Sequence, residues 1–237
     1  MYLKFLFILC LLPIGVFSQK QKPKNYSRFD EKLFNFGFML GFNKCDFILE
    51  QKINAYQDFR LISLQHEPTS GAQVGMVATM KLFTPMVRLR IIPTLSFQER
   101  VLNYTFESKV NPLETFNLQK RIGSTNADIP LMLQFRTQRL NNFAAYVLLG
   151  GQFSLDLQSQ EDATQDLLDP FIKLKKKDYH AQIGAGLEFF APYFKFGLEM
   201  KYSRGFNNSF IQDNTEPSNP INRLYNEVLW ISFIFEG

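Results

Sequence analysis

Large apolar residues alternate with polar or small residues along eight segments of this chain. The clearest segment begins at Phe34 and ends at Phe42, where every second residue is a large hydrophobe. Successive side chains of a β-strand point to opposite faces of a sheet, so a period of two predicts strands with one apolar face. The pattern therefore predicts an all-β fold. The eight segments span 34–43, 72–83, 87–98, 127–136, 143–154, 178–188, 193–203 and 226–235.

The lengths of the segments and of their connections favour a membrane barrel. Each segment is close to the roughly 9–11 residues that a tilted strand needs to cross a bilayer. Short connections follow the second, fourth and sixth segments, and bacterial outer-membrane barrels have short periplasmic turns and longer external loops. We predict an eight-stranded antiparallel transmembrane β-barrel over 34–237, with both termini in the periplasm. Its four long external loops are predicted over 44–71, 99–126, 155–177 and 204–225.

A soluble β-barrel or sandwich is the alternative fold, because it would show the same alternation with the apolar face turned inward. The eight apolar rows contain no Lys or Arg. A Lys or Arg at the middle of a lipid-facing row would cost about 2–4 kcal/mol. Rows free of cations, together with long loops on one side only and the N-terminal export signal described next, favour the membrane barrel.

The N-terminal residues have the features of a secretory signal peptide over 1–18. Lys4 supplies a positive charge, residues 5–12 form a short apolar stretch, and the small residue Ser18 precedes the expected cleavage site. The next residues, 19–33, begin with a polar and basic stretch, and we expect a flexible periplasmic segment there.

Composition excludes several classes of function. The 26 Lys and Arg residues exceed the 22 Asp and Glu residues by 4, and this small excess has no basic face with interleaved aromatic residues. Nucleic acid is therefore not an expected partner. Removal of the signal peptide would leave Cys45 as a single cysteine, which cannot form an intramolecular disulfide. No catalytic, cofactor-binding or metal-ligating residue is predicted, and no small-molecule substrate is expected.

Charged residues on the predicted inner face indicate a filled lumen. The interior of an eight-stranded barrel is just wide enough for side chains, and a buried unpaired charge is costly. The cations must therefore pair with the acids, which would produce a plugged, non-enzymatic barrel and argues against a small pore. The predicted cations are Arg88, Arg90, Arg136, Lys81, Lys195 and Lys201, and the predicted acids are Asp128, Asp178, Glu188 and Glu199.

One histidine offers an alternative in which the barrel is an enzyme. His180 and Asp178 share a face of the sixth segment, so His180 is a candidate base, whereas His66 lies in the first predicted loop. The other interpretation of His180 is an interior polar residue whose neighbours satisfy it. We favour the second interpretation, because one His near one Asp is weak evidence for a catalytic base.

Several short motifs resemble PorT-type proteins, which are outer-membrane barrels of the Bacteroidetes associated with the type IX secretion system and gliding motility. The resemblance covers nearly the whole mature chain in matching order. The motifs occupy 29–32, 36–43, 46–47, 93–97, 128–133, 194–196 and 199–203, together with Arg100, Leu102, Tyr104, Arg139, Asn141, Asn142, Tyr146, Gly205 and Asn207.

The resemblance implies a role in protein export across the outer membrane or in assembly of that machinery. The implied partners are other secretion-system proteins, in addition to outer-membrane lipid, and the resemblance implies no catalytic residue. A small structural or adhesin-like barrel, which binds external ligands through its loops, is the alternative function.

Overall fold

A computed structural model describes residues 24–108, 113–165 and 169–237. The predicted signal peptide, 1–18, lies outside the described residues. A 3-10 helix spans Ser27–Asp30, and the other elements are β1 (Phe34–Gln51), α1 (Ala55–Phe59), β2 (Leu61–Lys81), β3 (Val87–Ile91), β4 (Thr94–Glu107), β5 (Thr115–Arg136), β6 (Phe143–Asp156), β7 (Lys173–Leu174), β8 (Lys177–Phe190), β9 (Lys195–Gly205), β10 (Phe210–Ile211) and β11 (Ile221–Glu236).

The main sheet closes on itself. Phe38 of β1 lies opposite Met76 of β2 on one side and opposite Phe235 of β11 on the other. β3 and β4 share one position, because both pair with β2 and with β5. The break between them falls at Pro93, which has no backbone N–H to donate. Within the described residues the ring has eight positions and antiparallel neighbours, which confirms the predicted fold class.

The apolar rows point out of the ring, as predicted. Phe36 is 64% exposed and Met76 is 75% exposed, whereas Arg88 and Glu188 are fully buried inside. A soluble barrel has the opposite arrangement. Within the described part of the chain, no helix is both long and apolar enough to cross a bilayer.

We name the two ends of the barrel by their connections. The turn end carries the short connections from β2 to β3, from β5 to β6 and from β8 to β9, and the C-terminal strand β11 also ends there. The loop end is the opposite end. The described N-terminal residues also lie at the turn end, since the amide of Asn25 donates to the side chain of Asn142.

Two of the predicted long loops are corrected by the structure, because most of their residues are strand. β1 continues to Gln51 and β2 begins at Leu61, so little of 44–71 remains as a loop. β4 continues to Glu107 and β5 begins at Thr115, so the same holds for 99–126.

These strand extensions enclose a second hydrophobic core at the loop end, which we call the head. β2, β4 and β5 form one sheet of the head, and β1 pairs with β11 in the other. Burial of apolar side chains between the two sheets stabilises strands that have no membrane around them. The buried residues of the head are Phe47, Ala55, Leu61, Leu64, Leu102, Tyr104, Phe106, Ile172, Phe210, Ile221 and Leu224.

Candidate functional site

Arg90 lies at the centre of a buried charge network in the lumen. Its Nη1 donates to a carboxylate oxygen of Glu199 at 2.7 Å, and its Nη2 lies 3.8 Å from Glu188 and 3.7 Å from Glu236. Nη2 also donates to the side-chain oxygen of Gln134 at 3.0 Å. All four charged side chains are at most 1% exposed. Such charges are tolerated inside a protein only when they are paired and hydrogen-bonded.

The other lumen cations complete the network. Lys195 donates to Glu188 at 2.8 Å and also pairs with Glu236. Arg136 lies 3.3 Å from Glu188, and Lys201 lies 3.1 Å from Glu199. The structure therefore confirms pairing for Arg90, Arg136, Lys195 and Lys201. Glu236 was missed because the eighth predicted segment ended at residue 235, although Ser232, Ile234 and Glu236 continue its inward row.

Two predicted acids do not join this network. Asp128 accepts hydrogen bonds from Ser96 and Ser154, both at 2.6 Å. Asp178 accepts from Asn226 at 2.6 Å and from Ser209 at 3.0 Å. Each residue of a β-strand advances the chain by about 3.3 Å. Asp128 and Asp178 lie several residues along their strands from the positions level with Arg90, and they are therefore nearer the loop end.

Lys81 also departs from the prediction. Its Nζ donates to the backbone oxygen of Glu31 at 3.0 Å, in an exposed contact at the turn end. Lys81 is the last residue of β2, where the strand leaves the ring. Within the described residues, its side chain therefore contacts the N-terminal segment rather than a lumen acid.

His180 has a hydrogen-bonded neighbour on each ring nitrogen. Its Nε2 lies 3.2 Å from Asp178 Oδ2, and its Nδ1 lies 3.2 Å from the hydroxyl oxygen of Ser203. A hydroxyl, an imidazole and a carboxylate in this order could in principle activate a nucleophile. Ser203 is fully buried, however, and the adjoining cavity of about 20 Å³ has room for about one water molecule. The arrangement is therefore suited to holding the strands together.

The second histidine of the chain, His66, lies away from the lumen. His66 lies in the head, with Nδ1 2.6 Å from Asp46, and its side chain is 42% exposed. In the ranges that the structure describes, no three His, Cys, Asp or Glu side chains are grouped so that they could hold a metal ion. Sequence reasoning did not identify Ser203, because nothing local shows that β9 places it beside His180.

The N-terminal segment, residues 24–33, docks into the turn end. The 3-10 helix places Phe29 inside the mouth, where its ring is fully buried. The ring centroid lies 4.5 Å from the guanidinium carbon of Arg88 and 4.5 Å from the Nζ of Lys195. The ring of Phe190 packs edge-on at 5.6 Å. Phe29 thus occupies a pocket with two cationic walls and one aromatic wall.

Asp30 lies between three arginines, which we call the arginine clamp. Its carboxylate is 3.1 Å from Arg88, 2.6 Å from Arg136 and 2.9 Å from Arg139. Arg139 lies in the turn between β5 and β6 and also donates to the backbone oxygen of Asn25 at 2.8 Å. Burial lowers the pKa of Arg139, and the Asp30 carboxylate opposes this change by favouring the charged guanidinium.

This docking differs from the expectation of a flexible segment over 19–33. Residues 24–33 have defined contacts with the turn end, and the positions before Lys24 lie outside the described residues. The expectation rested on polar composition, which does not reveal that arginines from β3, β5 and the following turn meet Asp30. Arg88 therefore pairs with Asp30 instead of a predicted acid.

Tyr146 of β6 depends on a glycine in the neighbouring strand. Its hydroxyl donates to Glu199 at 2.8 Å, and Gly186 of β8 lies directly opposite it. A Cβ at position 186 would overlap the Tyr146 ring. Gly186 is therefore needed for the close approach of an aromatic ring to the backbone.

Gly186→Ala is expected to lower the free energy of unfolding by about 1–3 kcal/mol, since the added methyl group displaces Tyr146 from Glu199. Urea titration of the protein in phospholipid vesicles measures this change. Gly151→Ala is the control, because its Cβ would lie at an ordinary 3.4 Å from the nearest heavy atom, the His180 oxygen. Equal losses in both variants would contradict the role of Gly186.

A family model described as "Outer membrane protein beta-barrel domain" matches residues 17–211. The structure is similar to the outer membrane protein OprG from Pseudomonas aeruginosa, with 15% identity, a TM-score of 0.48, and coverage of 86% of this chain and 95% of that one. No curated protein sequence matches the chain.

Two further solved structures are similar to this one. Neisserial surface protein A (NspA) is 9% identical with a TM-score of 0.39, and the match covers 86% of this chain and 96% of that one. Ail of Yersinia pestis, in complex with the heparin analogue sucrose octasulfate, is 10% identical with a TM-score of 0.38. That match covers 87% of this chain and 100% of the other.

Proposed function

Because the chain belongs to the outer membrane protein β-barrel domain family, we propose that it is a closed, non-enzymatic anchor that acts through protein contacts outside the bilayer. The observation that carries this proposal is the filled lumen. The network around Arg90 lies across the barrel interior, and the N-terminal segment occupies the turn end. Binding surfaces therefore remain at the two ends of the barrel.

The lengths of the connections support a proposed orientation of the barrel. Outer-membrane barrels keep short turns in the periplasm and long connections outside the cell. On this basis we propose that the N-terminal segment and the arginine clamp lie in the periplasm and that the head lies outside the cell. Lipid surrounds the apolar rows between them.

We further propose that the protein contacts serve protein secretion, either in transport or in assembly of the apparatus. The resemblance of motifs such as 36–43 and 128–133 to PorT-type proteins supports this role. Both a periplasmic mouth and an external head suit a component that contacts other proteins on either side of the membrane.

Deletion of the gene is expected to reduce secreted protein and surface spreading, and the full chain expressed in trans should restore both. A copy that carries Gly151→Ala is the control, and it should restore secretion and spreading as well as the unchanged chain does. Normal secretion and spreading in the deletion strain, with other outer-membrane barrels assembled normally, would contradict a secretion role.

The exposed surface of the head that carries Glu67, Asn103 and Gln119, which we call the head face, supports a second candidate function, adhesion. Its exposed polar side chains are held in a row, where Asn103 donates to Glu67 at 3.3 Å and Gln119 donates to Asn103 at 2.9 Å. Arg121 continues the row, 3.7 Å from Glu99. Preformed polar rows of this kind suit recognition of an external ligand. Alanine at Gln119 and Arg121 should then reduce adhesion while secretion stays normal, whereas unchanged adhesion would exclude this candidate.

The closed lumen has its own test in single-channel recording. Purified full chain in a planar bilayer is expected to show no steady conductance, since buried ion pairs occupy the interior. A steady conductance would contradict the closed anchor.

A further inference from the structure

We infer that the turn-end mouth is a peptide-binding site for an aromatic residue followed by a carboxylate. The chain's own Phe29 and Asp30 fill it, and a partner segment with the same pair can take their place. The inference rests on the proposed function, since it assigns one of the protein contacts to a defined site.

The aromatic half of the site is a pocket with specific walls. Arg88 and Lys195 lie over the Phe29 ring, and Ala144 and Phe190 complete its buried surroundings. Cations over an aromatic face contribute about 0.5–2 kcal/mol, with the larger values in desolvated sites. An aliphatic side chain would fill the space without this attraction, so the pocket selects an aromatic ring.

The acidic half of the site has more donors than its present acceptor uses. Arg88, Arg136 and Arg139 surround the single carboxylate of Asp30. Among the described residues, Arg88 Nη1 and Arg136 Nε are buried without a hydrogen-bond partner. The clamp is therefore matched to an anionic side chain and has capacity for a further acceptor next to it.

The present occupant is attached in a way that permits exchange. The 3-10 helix has four residues and is not part of the barrel ring, so its departure breaks no strand pairing. The Asp30 side chain is 25% exposed, which leaves the clamp open to solvent on one side. Opening of such a segment is a local event that leaves the barrel ring intact. Departure of the segment would remove the Asp30 carboxylate from three cations, Arg88, Arg136 and Arg139, so a new acidic segment would be attracted.

The test uses the full chain with Phe29→Ala and Asp30→Ala together, purified in detergent micelles. The two substitutions remove the side chains that hold the chain's own segment in the mouth, so the segment is released. A fluorescently labelled peptide with the sequence of residues 24–33 serves as the probe, and anisotropy reports binding. We expect saturable binding to this variant and binding at least about tenfold weaker to the wild-type chain, whose site is filled. A peptide with Asn in place of Asp30 should also bind about tenfold more weakly, as expected when a charge-assisted hydrogen bond is lost.

The controls separate recognition from general attraction. A peptide with Ala in place of Phe29 keeps the charges and should lose about tenfold in affinity. Asp30→Asn in the full chain, which keeps the side-chain volume, replaces the double variant if the latter fails to show heat-modifiable gel migration. A folded variant that binds no peptide, or that binds all three peptides equally, would overturn the inference.

This result is independent of the secretion test. Normal secretion in a deletion strain would contradict the proposed role and leave peptide binding to the purified chain intact. If the purified chain bound no peptide, the mouth would not be a peptide-binding site. A secretion defect in the deletion strain would still support the proposed role.

Discussion

Arg90→Met is expected to lower the free energy of unfolding by about 3–5 kcal/mol, because it removes one member of a buried charge network and leaves three buried carboxylates with one cation fewer. Those carboxylates belong to Glu188, Glu199 and Glu236, each fully buried. Methionine fills much of the space of arginine, so the decrease in the free energy of unfolding comes mainly from the lost charge and not from lost volume. Urea titration in phospholipid vesicles measures it, with the fluorescence of the single Trp230 as the probe.

The same substitution at Arg121 provides the control. Arg121 lies on the head face, where its side chain is 64% exposed and 3.7 Å from Glu99. Exposed ion pairs contribute about 0–1 kcal/mol, so Arg121→Met should change stability by no more than that. If both variants lost the same free energy, the Arg90 network would not be the stabilising unit of the lumen.

Ile183→Arg should lower the free energy of unfolding in vesicles by about 2–4 kcal/mol, the cost of a cation at the middle of a lipid-facing row. Ile183 is 58% exposed and lies on β8 between Tyr179 and Leu187, which share its outward face. The bilayer offers no water to this position, whereas a detergent micelle is thinner and more adaptable. The loss should therefore be smaller in micelles.

Ile53→Arg is the matched change outside the membrane. Ile53 is fully exposed between β1 and α1, where an added guanidinium remains in water. Its stability should change by at most about 0.5 kcal/mol, as is usual for surface positions. Comparable losses for the two variants in vesicles would contradict the placement of β8 across the bilayer.

Local periodicity accounts for the parts of the fold that the sequence predicts correctly. A period of two fixes which side chains share a face, so the outward rows and the inward positions of Arg90, Lys195 and Glu199 follow without knowledge of the partners. The same reasoning shows that charges must pair in a narrow lumen.

The strand extensions were missed because the apolar residues change faces at the membrane boundary. On β1 the even positions through Phe42 are apolar and exposed, and beyond it the odd positions Cys45 and Phe47 are buried. On β4 the apolar residues move from Leu95 and Phe97 outside to Leu102 and Tyr104 inside. The alternation continues in the opposite phase, and this change of phase is the signal that a strand has left the lipid and entered the head.

The sequence by itself determined the eight alternating strand segments and the direction of their side chains, since both depend on the geometry of single strands. Only the tertiary structure decided which charges meet. The height of each residue in the barrel depends on strand stagger, which separates Asp128 from the cations and adds Glu236 to them. The tertiary structure also brings Asp30 to Arg88, Arg136 and Arg139. These arginines lie 58 or more positions further along the chain, so no local pattern could reveal the clamp.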